Sequence, residues 1–152
     1  MADGFAVAEA MRHETPADFE AITTLKWVFT NRHRDTDYRF SGPIVELDEG
    51  GRVIEIRNTG FLRAYPDMPD NDIPAAYRAL RVFTAHCRSE RFICRTPFAA
   101  GDLILFDNRR MLHGRDSFDP QSGVRRLEGC YLDRDEILSR LRVLARRERS
   151  ES

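Results

Sequence analysis

Gly101-Asp-Leu-Ile-Leu-Phe-Asp-Asn-Arg-Arg-Met-Leu-His113-Gly-Arg115, followed after a polar interval by Val124-Arg-Arg-Leu-Glu-Gly-Cys-Tyr131, is the stretch on which the fold turns. Residues 102–106 and 124–132 read as two strands, with a turn at 97–101 before the first and a polar loop at 116–123 before the second. Together they offer three side chains of complementary chemistry. A neutral imidazole, His113, can hold a divalent metal. Arg125, on the following strand, can fork onto a carboxylate, and the ring face of Tyr131 can receive a cation. His113 is followed by Gly114, where the missing side chain leaves room for a bound group. Alone, the histidine reads more readily as one bonded to a nearby backbone group. Arg125 shifts that balance, because a dicarboxylate held by it could chelate a metal at His113 with its other end.

Upstream of this stretch the periodicity is mixed. Asp3 predicts the cap of a short helix running through Met11, and Thr15-Pro16 predicts a second helix with proline in its first turn and Phe19, Ile22 and Leu25 at helical spacing. Strands begin at Trp27. Residues 43–47 and 52–57 flank Asp48-Glu-Gly-Gly51, a turn of residues that tolerate positive φ, and so predict a β-hairpin. Residues 65–72, rich in Pro, Asp and Asn, read as a surface loop leading to the cap of the next helix. That helix carries Ile73, Ala76, Tyr77, Leu80, Phe83 and Cys87 as one apolar stripe wide enough to cover a sheet. Residues 91–96 read as a further strand. A last helix starts at Asp133 with Glu136 in capping-box position, burying Ile137, Leu141 and Leu144. Helices in front, then a hairpin, a covering helix and antiparallel-type strands predict a β-rich α+β fold.

At 152 residues the chain has the length of one domain. A net charge of −1, with acidic and basic residues interleaved, lacks the electrostatic footprint of a nucleic-acid binder. No apolar run approaches a membrane span and no signal-peptide pattern opens the chain, so a soluble cytoplasmic protein with no membrane partner is expected. Cys87, Cys94 and Cys130 form no C-x-x-C pair, which predicts reduced, buried thiols.

Leu105-Phe-Asp-Asn-Arg-Arg-Met-Leu-His-Gly-Arg115, Arg125-Arg-Leu-Glu-Gly-Cys-Tyr-Leu-Asp133 and Ser139-Arg-Leu-Arg-Val-Leu144 closely resemble the C-terminal end of the gamma-butyrobetaine and trimethyllysine dioxygenases. These are TauD/TfdA-like Fe(II)- and 2-oxoglutarate-dependent oxygenases. Asp3-Gly-Phe-Ala-Val-Ala8, Asp35-Thr-Asp-Tyr38 and Ile44-Val-Glu-Leu-Asp48 also have counterparts, so the likeness extends over nearly the whole chain. It implies the C-terminal part of a double-stranded β-helix, a clavaminate synthase-like jelly roll with flanking helices, over residues 1–145, followed by a disordered charged tail at 146–152. It also implies Fe(II) as cofactor, 2-oxoglutarate as cosubstrate with ascorbate as an accessory reductant, and a small quaternary amine such as gamma-butyrobetaine as substrate, as in carnitine biosynthesis. By resemblance His113 is the distal histidine ligand of the iron. Arg125 grips the far carboxylate of 2-oxoglutarate, with Arg126 the alternative because adjacent strand residues face opposite ways. Tyr131 is one wall of an aromatic cage.

Two departures accompany the likeness. In the family the first two iron ligands form a His-x-Asp motif before the Asp-Gly-Phe segment, which here stands almost at the first residue, so the proximal ligands are expected to be absent. His33-Arg34-Asp35 spells His-x-Asp but falls where the family has an ordinary strand, and reads as a solvated polar stretch. Around Arg57-Asn58-Thr59-Gly60-Phe61 the match to the substrate-binding asparagines of gamma-butyrobetaine enzymes is imperfect. Three readings follow: the C-terminal portion of such an enzyme, a catalytically inactive jelly-roll half that assembles with a separately encoded N-terminal part, or an inert fold fragment. A homodimer or a missing N-terminal half are the expected protein partners.

Overall fold

A computed structural model of the protein describes residues 1–114, 117, 123 and 126–151, without the side chain of Glu151. Residues 1–115 make one compact unit and residues 116–152 another.

The first unit opens on β1 (Ala2–Asp3) and α1 (Gly4–Glu14). The Asp3 carboxylate accepts from the backbone N–H groups of Phe5 at 3.0 Å and Ala6 at 3.4 Å, satisfying donors that the helix itself leaves orphaned. α2 (Pro16–Thr24) has proline at its start, as predicted. Thr15 makes no side-chain cap there, because the same residue also closes α1: its N–H donates to Met11 O at 2.9 Å and its hydroxyl lies toward that oxygen. β2 (Lys26–His33) and β3 (Thr36–Gly42) form an antiparallel hairpin. β4 (Val45–Leu47) and β5 (Val53–Ile56) form a second, around Gly51 at φ 76°. Asp48 Oδ1 accepts from the N–H groups of Gly50 and Arg52, both at 2.9 Å, which holds that turn closed.

β6 (Arg63–Asp67) lies against the free edge of β2, giving the order β3-β2-β6. Residues 65–67 are therefore strand and not the expected loop. Pro66 stands opposite Trp27 on an edge strand, the place in a sheet where a residue without an N–H is tolerated. A single 3-10 turn (Asp70–Asp72) leads into α3 (Ile73–Arg88), whose buried face carries Ala76, Ala79, Leu80 and Phe83. Residues 91–96 make only one isolated bridge, Ile93 to Ala2, in place of the expected strand. Residues 102–106 carry no strand either. Leu103 and Leu105 are 93% and 80% exposed, and an apolar run becomes a strand only where a partner supplies the ladder. β7 is just Met111–Leu112, paired antiparallel with β1. The architecture is α+β with several small antiparallel sheets.

One core joins these elements: Val7, Ala8 and Met11 of α1, Phe19 and Ile22 of α2, Trp27 of β2, Ile44, Val45, Val53 and Ile56 around the second hairpin, and the α3 face. Cys87 packs against it, and burial pushes its thiol up to about 12. Cys94 and Cys130 are exposed, against the expectation of burial.

Gly4 marks the tightest approach. A Cβ there would lie 2.8 Å from the backbone oxygen of Arg110 and 2.8 Å from Ile56 Cγ1. Gly4→Ala would gain up to about 1 kcal/mol of helix propensity, but the clash with an immobile carbonyl should outweigh it, for a net loss of about 1–3 kcal/mol in chemical denaturation. A variant more stable than the parent would show that the contact gives way.

In the second unit, residues 126–132 carry no strand, contrary to expectation, and α4 (Arg134–Glu151) follows. Asp133 Oδ1 accepts from Asp135 N–H at 2.9 Å at its start. Ile137, Leu141 and Leu144 are exposed and not buried as expected. The helix continues to Glu151, through the stretch expected to be a disordered tail. Among the described residues no helix is long and apolar enough to cross a membrane.

Candidate functional site

His113 follows directly on β7, so its place depends on the turn before that strand. Asp107 builds the turn: its backbone oxygen accepts from the N–H groups of Arg110 at 3.1 Å and Met111 at 2.8 Å, and its Oδ1 accepts from Arg109 N–H at 2.9 Å. The imidazole is exposed, with the Phe106 ring 4.8 Å away and tilted by 55°. A Cβ added at Gly114 would meet nothing within 4 Å, in agreement with the open space read from the sequence.

The turn is held on two flanks. On one, Arg110 reaches Asp3, with Nη2 donating to Oδ2 at 2.6 Å and Nε to Oδ1 at 3.1 Å, while Gly4 N–H donates to Arg110 O at 3.0 Å. This guanidinium holds the Asp3 carboxyl below the ordinary carboxylate range; partial burial opposes it, and the two cap bonds add to the lowering. On the other flank, Ile56 N–H donates to Arg109 O at 2.7 Å and Arg109 Nη1 to Glu55 Oε2 at 2.8 Å. Sequence reasoning assigned Asp3 its cap role only and gave Arg109 and Arg110 none. The signal present was two adjacent arginines just before a candidate ligand, but their partners lie 54 and 107 positions away.

Arg125 lies outside the described residues. Arg126, the alternative, is exposed and forms an ion pair with Glu128. Tyr131 is 86% exposed and lines a shallow, largely apolar depression within the second unit, together with Leu132, Asp133, Glu136, Ile137, Arg140 and Leu141. Tyr131 is the only aromatic side chain among these lining residues.

His33 ends β2 opposite Thr36, with Arg34 and Asp35 forming the exposed hairpin turn between them. Arg34 and Asp35 approach each other at 4.0 Å in full solvent, the arrangement of a hydrated turn. Asn58, in the segment with the imperfect substrate match, accepts from Arg63 Nη1 at 3.1 Å, and Arg57 stacks on Phe40 with 4.2 Å to the ring centroid. Among the described residues no three His, Cys, Asp or Glu side chains gather closely enough to hold a metal ion.

The model of the family "Taurine catabolism dioxygenase TauD, TfdA family" matches residues 1–131. Gamma-butyrobetaine dioxygenase of Pseudomonas sp. (strain AK-1) is 48% identical over 144 residues, covering 95% of this chain and 38% of that protein. The human gamma-butyrobetaine dioxygenase is 33% identical over 150 residues, covering 95% of this chain and 39% of its own length. Bovine mitochondrial trimethyllysine dioxygenase is 29% identical over 150 residues, with 95% and 35% covered. This chain thus spans under two fifths of the length of these relatives. It belongs to the TauD/TfdA dioxygenase family.

Proposed function

We propose that the chain is the C-terminal portion of an Fe(II)- and 2-oxoglutarate-dependent dioxygenase that hydroxylates a small quaternary amine of the gamma-butyrobetaine type, with residues 1–145 contributing to a jelly-roll domain. The observation that carries this reading is the match along 95% of the chain to a gamma-butyrobetaine dioxygenase. It is supported by the exposed His113 imidazole, presented at the end of a turn held on both flanks. In the completed protein His113 would supply one neutral nitrogen ligand, and iron with 2-oxoglutarate would supply the oxidising chemistry. Arg125 would hold the far carboxylate of the cosubstrate. Tyr131 would face the trimethylammonium group, and the depression it lines carries two carboxylates, Asp133 and Glu136, against one guanidinium, Arg140.

The test is a protein completed upstream with a segment bearing the His-x-Asp pair, assayed for O2-dependent release of succinate coupled to hydroxylation of gamma-butyrobetaine. Coupled turnover that disappears in His113→Ala is the expected result. Turnover unaffected by that substitution would remove the histidine from the iron site. Tyr131→Leu keeps apolar bulk and removes the ring face, so it should raise KM for the quaternary amine by roughly tenfold. The KM for 2-oxoglutarate should stay near its parent value. Equal effects on both ligands, or on neither, would end the cage role.

A further inference from the structure

We propose that Asp3 is a positioning residue for His113, acting through Arg110; the proposal rests on the reading of His113 as a functional side chain. β7, which immediately precedes the histidine, is two residues long, and its pairing with β1 is confined to Ala2 with Leu112 and Asp3 with Met111. So short a ladder is marginal as a support. The Asp3 carboxylate adds what the ladder lacks. One oxygen caps α1 through Phe5 and Ala6 and also accepts from Arg110 Nε, while the other takes Arg110 Nη2 at 2.6 Å. The planar guanidinium meets the carboxylate through two nitrogens, a geometry that fixes orientation as well as distance. Because the carboxylate sits at the positive end of α1, and α1 buries Val7, Ala8 and Met11, the fork ties the His113 turn to the core and not to another loop. Gly4 makes this approach available, since any side chain there would meet the Arg110 carbonyl. Arg109 holds the same turn to a second element, with its Nη1 donating to Glu55 Oε2 of β5 at 2.8 Å.

The cap and the fork can be separated. Asp3→Ser keeps a good N-cap but is too short to reach Arg110. Arg110→Gln removes the fork from the other side and leaves the cap untouched. Arg110→Lys keeps the charge but cannot pair bidentately. The readout is the set of ring resonances of His113 in NMR spectra of the whole chain, alongside the backbone amides of the core and the denaturation midpoint. The parent should show one sharp ring signal set. Asp3→Ser and Arg110→Gln should each broaden or split it, Arg110→Lys should do so less, and the double variant should be no worse than either single one, while the amides of Val7, Met11 and Phe83 keep their positions. Ring signals that are identical in parent and variants, or already broadened in the parent, would overturn the proposal. So would changes in the core amides that match those of the ring, since the pair would then be merely structural. A ring that responds as expected in a completed enzyme indifferent to His113→Ala would leave the positioning intact and sink the metal-ligand reading instead.

Discussion

Phe83→Ala should destabilise the protein by about 3–5 kcal/mol, the range for deleting a fully buried aromatic ring. Phe83 has no exposed surface, and α3 presents it to the same core as Met11, Ile22 and Ile44, drawn from three other segments. These neighbours belong to a helix, a second helix and the hairpin region, so they cannot all move inward to refill the space without breaking their own backbone pairing. The cavity term therefore adds to the lost transfer energy. Urea denaturation followed by circular dichroism would show the midpoint falling with little change in slope. A loss below about 1 kcal/mol would mean that the core closes over the gap, and that α3 is held by its edges and not by this ring.

The second large effect is catalytic and applies to a completed enzyme. Arg125→Lys should raise KM for 2-oxoglutarate by roughly 10- to 100-fold, because a point-charge ammonium cannot reproduce two parallel bonds worth about 1.5–3 kcal/mol against a carboxylate. Arg126→Lys is the control. Its guanidinium is already engaged with Glu128 on an exposed surface, so it should leave that KM unchanged. Steady-state kinetics with 2-oxoglutarate as the varied substrate separates the two. The reverse pattern would exchange the roles of the two arginines, and no effect from either would remove this stretch of sequence from the proposed cosubstrate site.

Helix caps, helix starts and tight turns were legible in the sequence. Asp3 caps α1, Pro16 opens α2, Ala76, Leu80 and Phe83 of the α3 stripe are buried while Tyr77 at its margin is exposed, and Asp48 with Gly51 closes the β4–β5 hairpin. Each depends on contacts within a few residues, which a linear reading sees directly. The motif around His113 was legible in the same way, as residue types at a fixed spacing that carry a family resemblance. The tertiary structure decided what depends on partners. Residues 65–67 read as a loop because of Pro66, and became strand because β2 offered an edge. Residues 102–106, with four apolar residues in a row, have the composition of a buried strand but do not form one, since an apolar run states that burial would be favourable and not whether a neighbour is there to pair. The stripe of α4 has the right period and is exposed. The fork between Asp3 and Arg110 joins residues 107 positions apart, and no local pattern encodes it. Closing so long a loop is stabilised only once α1, the β5 end and the turn before β7 have packed, so the placement of His113 is a property of the assembled core and not of its own stretch of sequence.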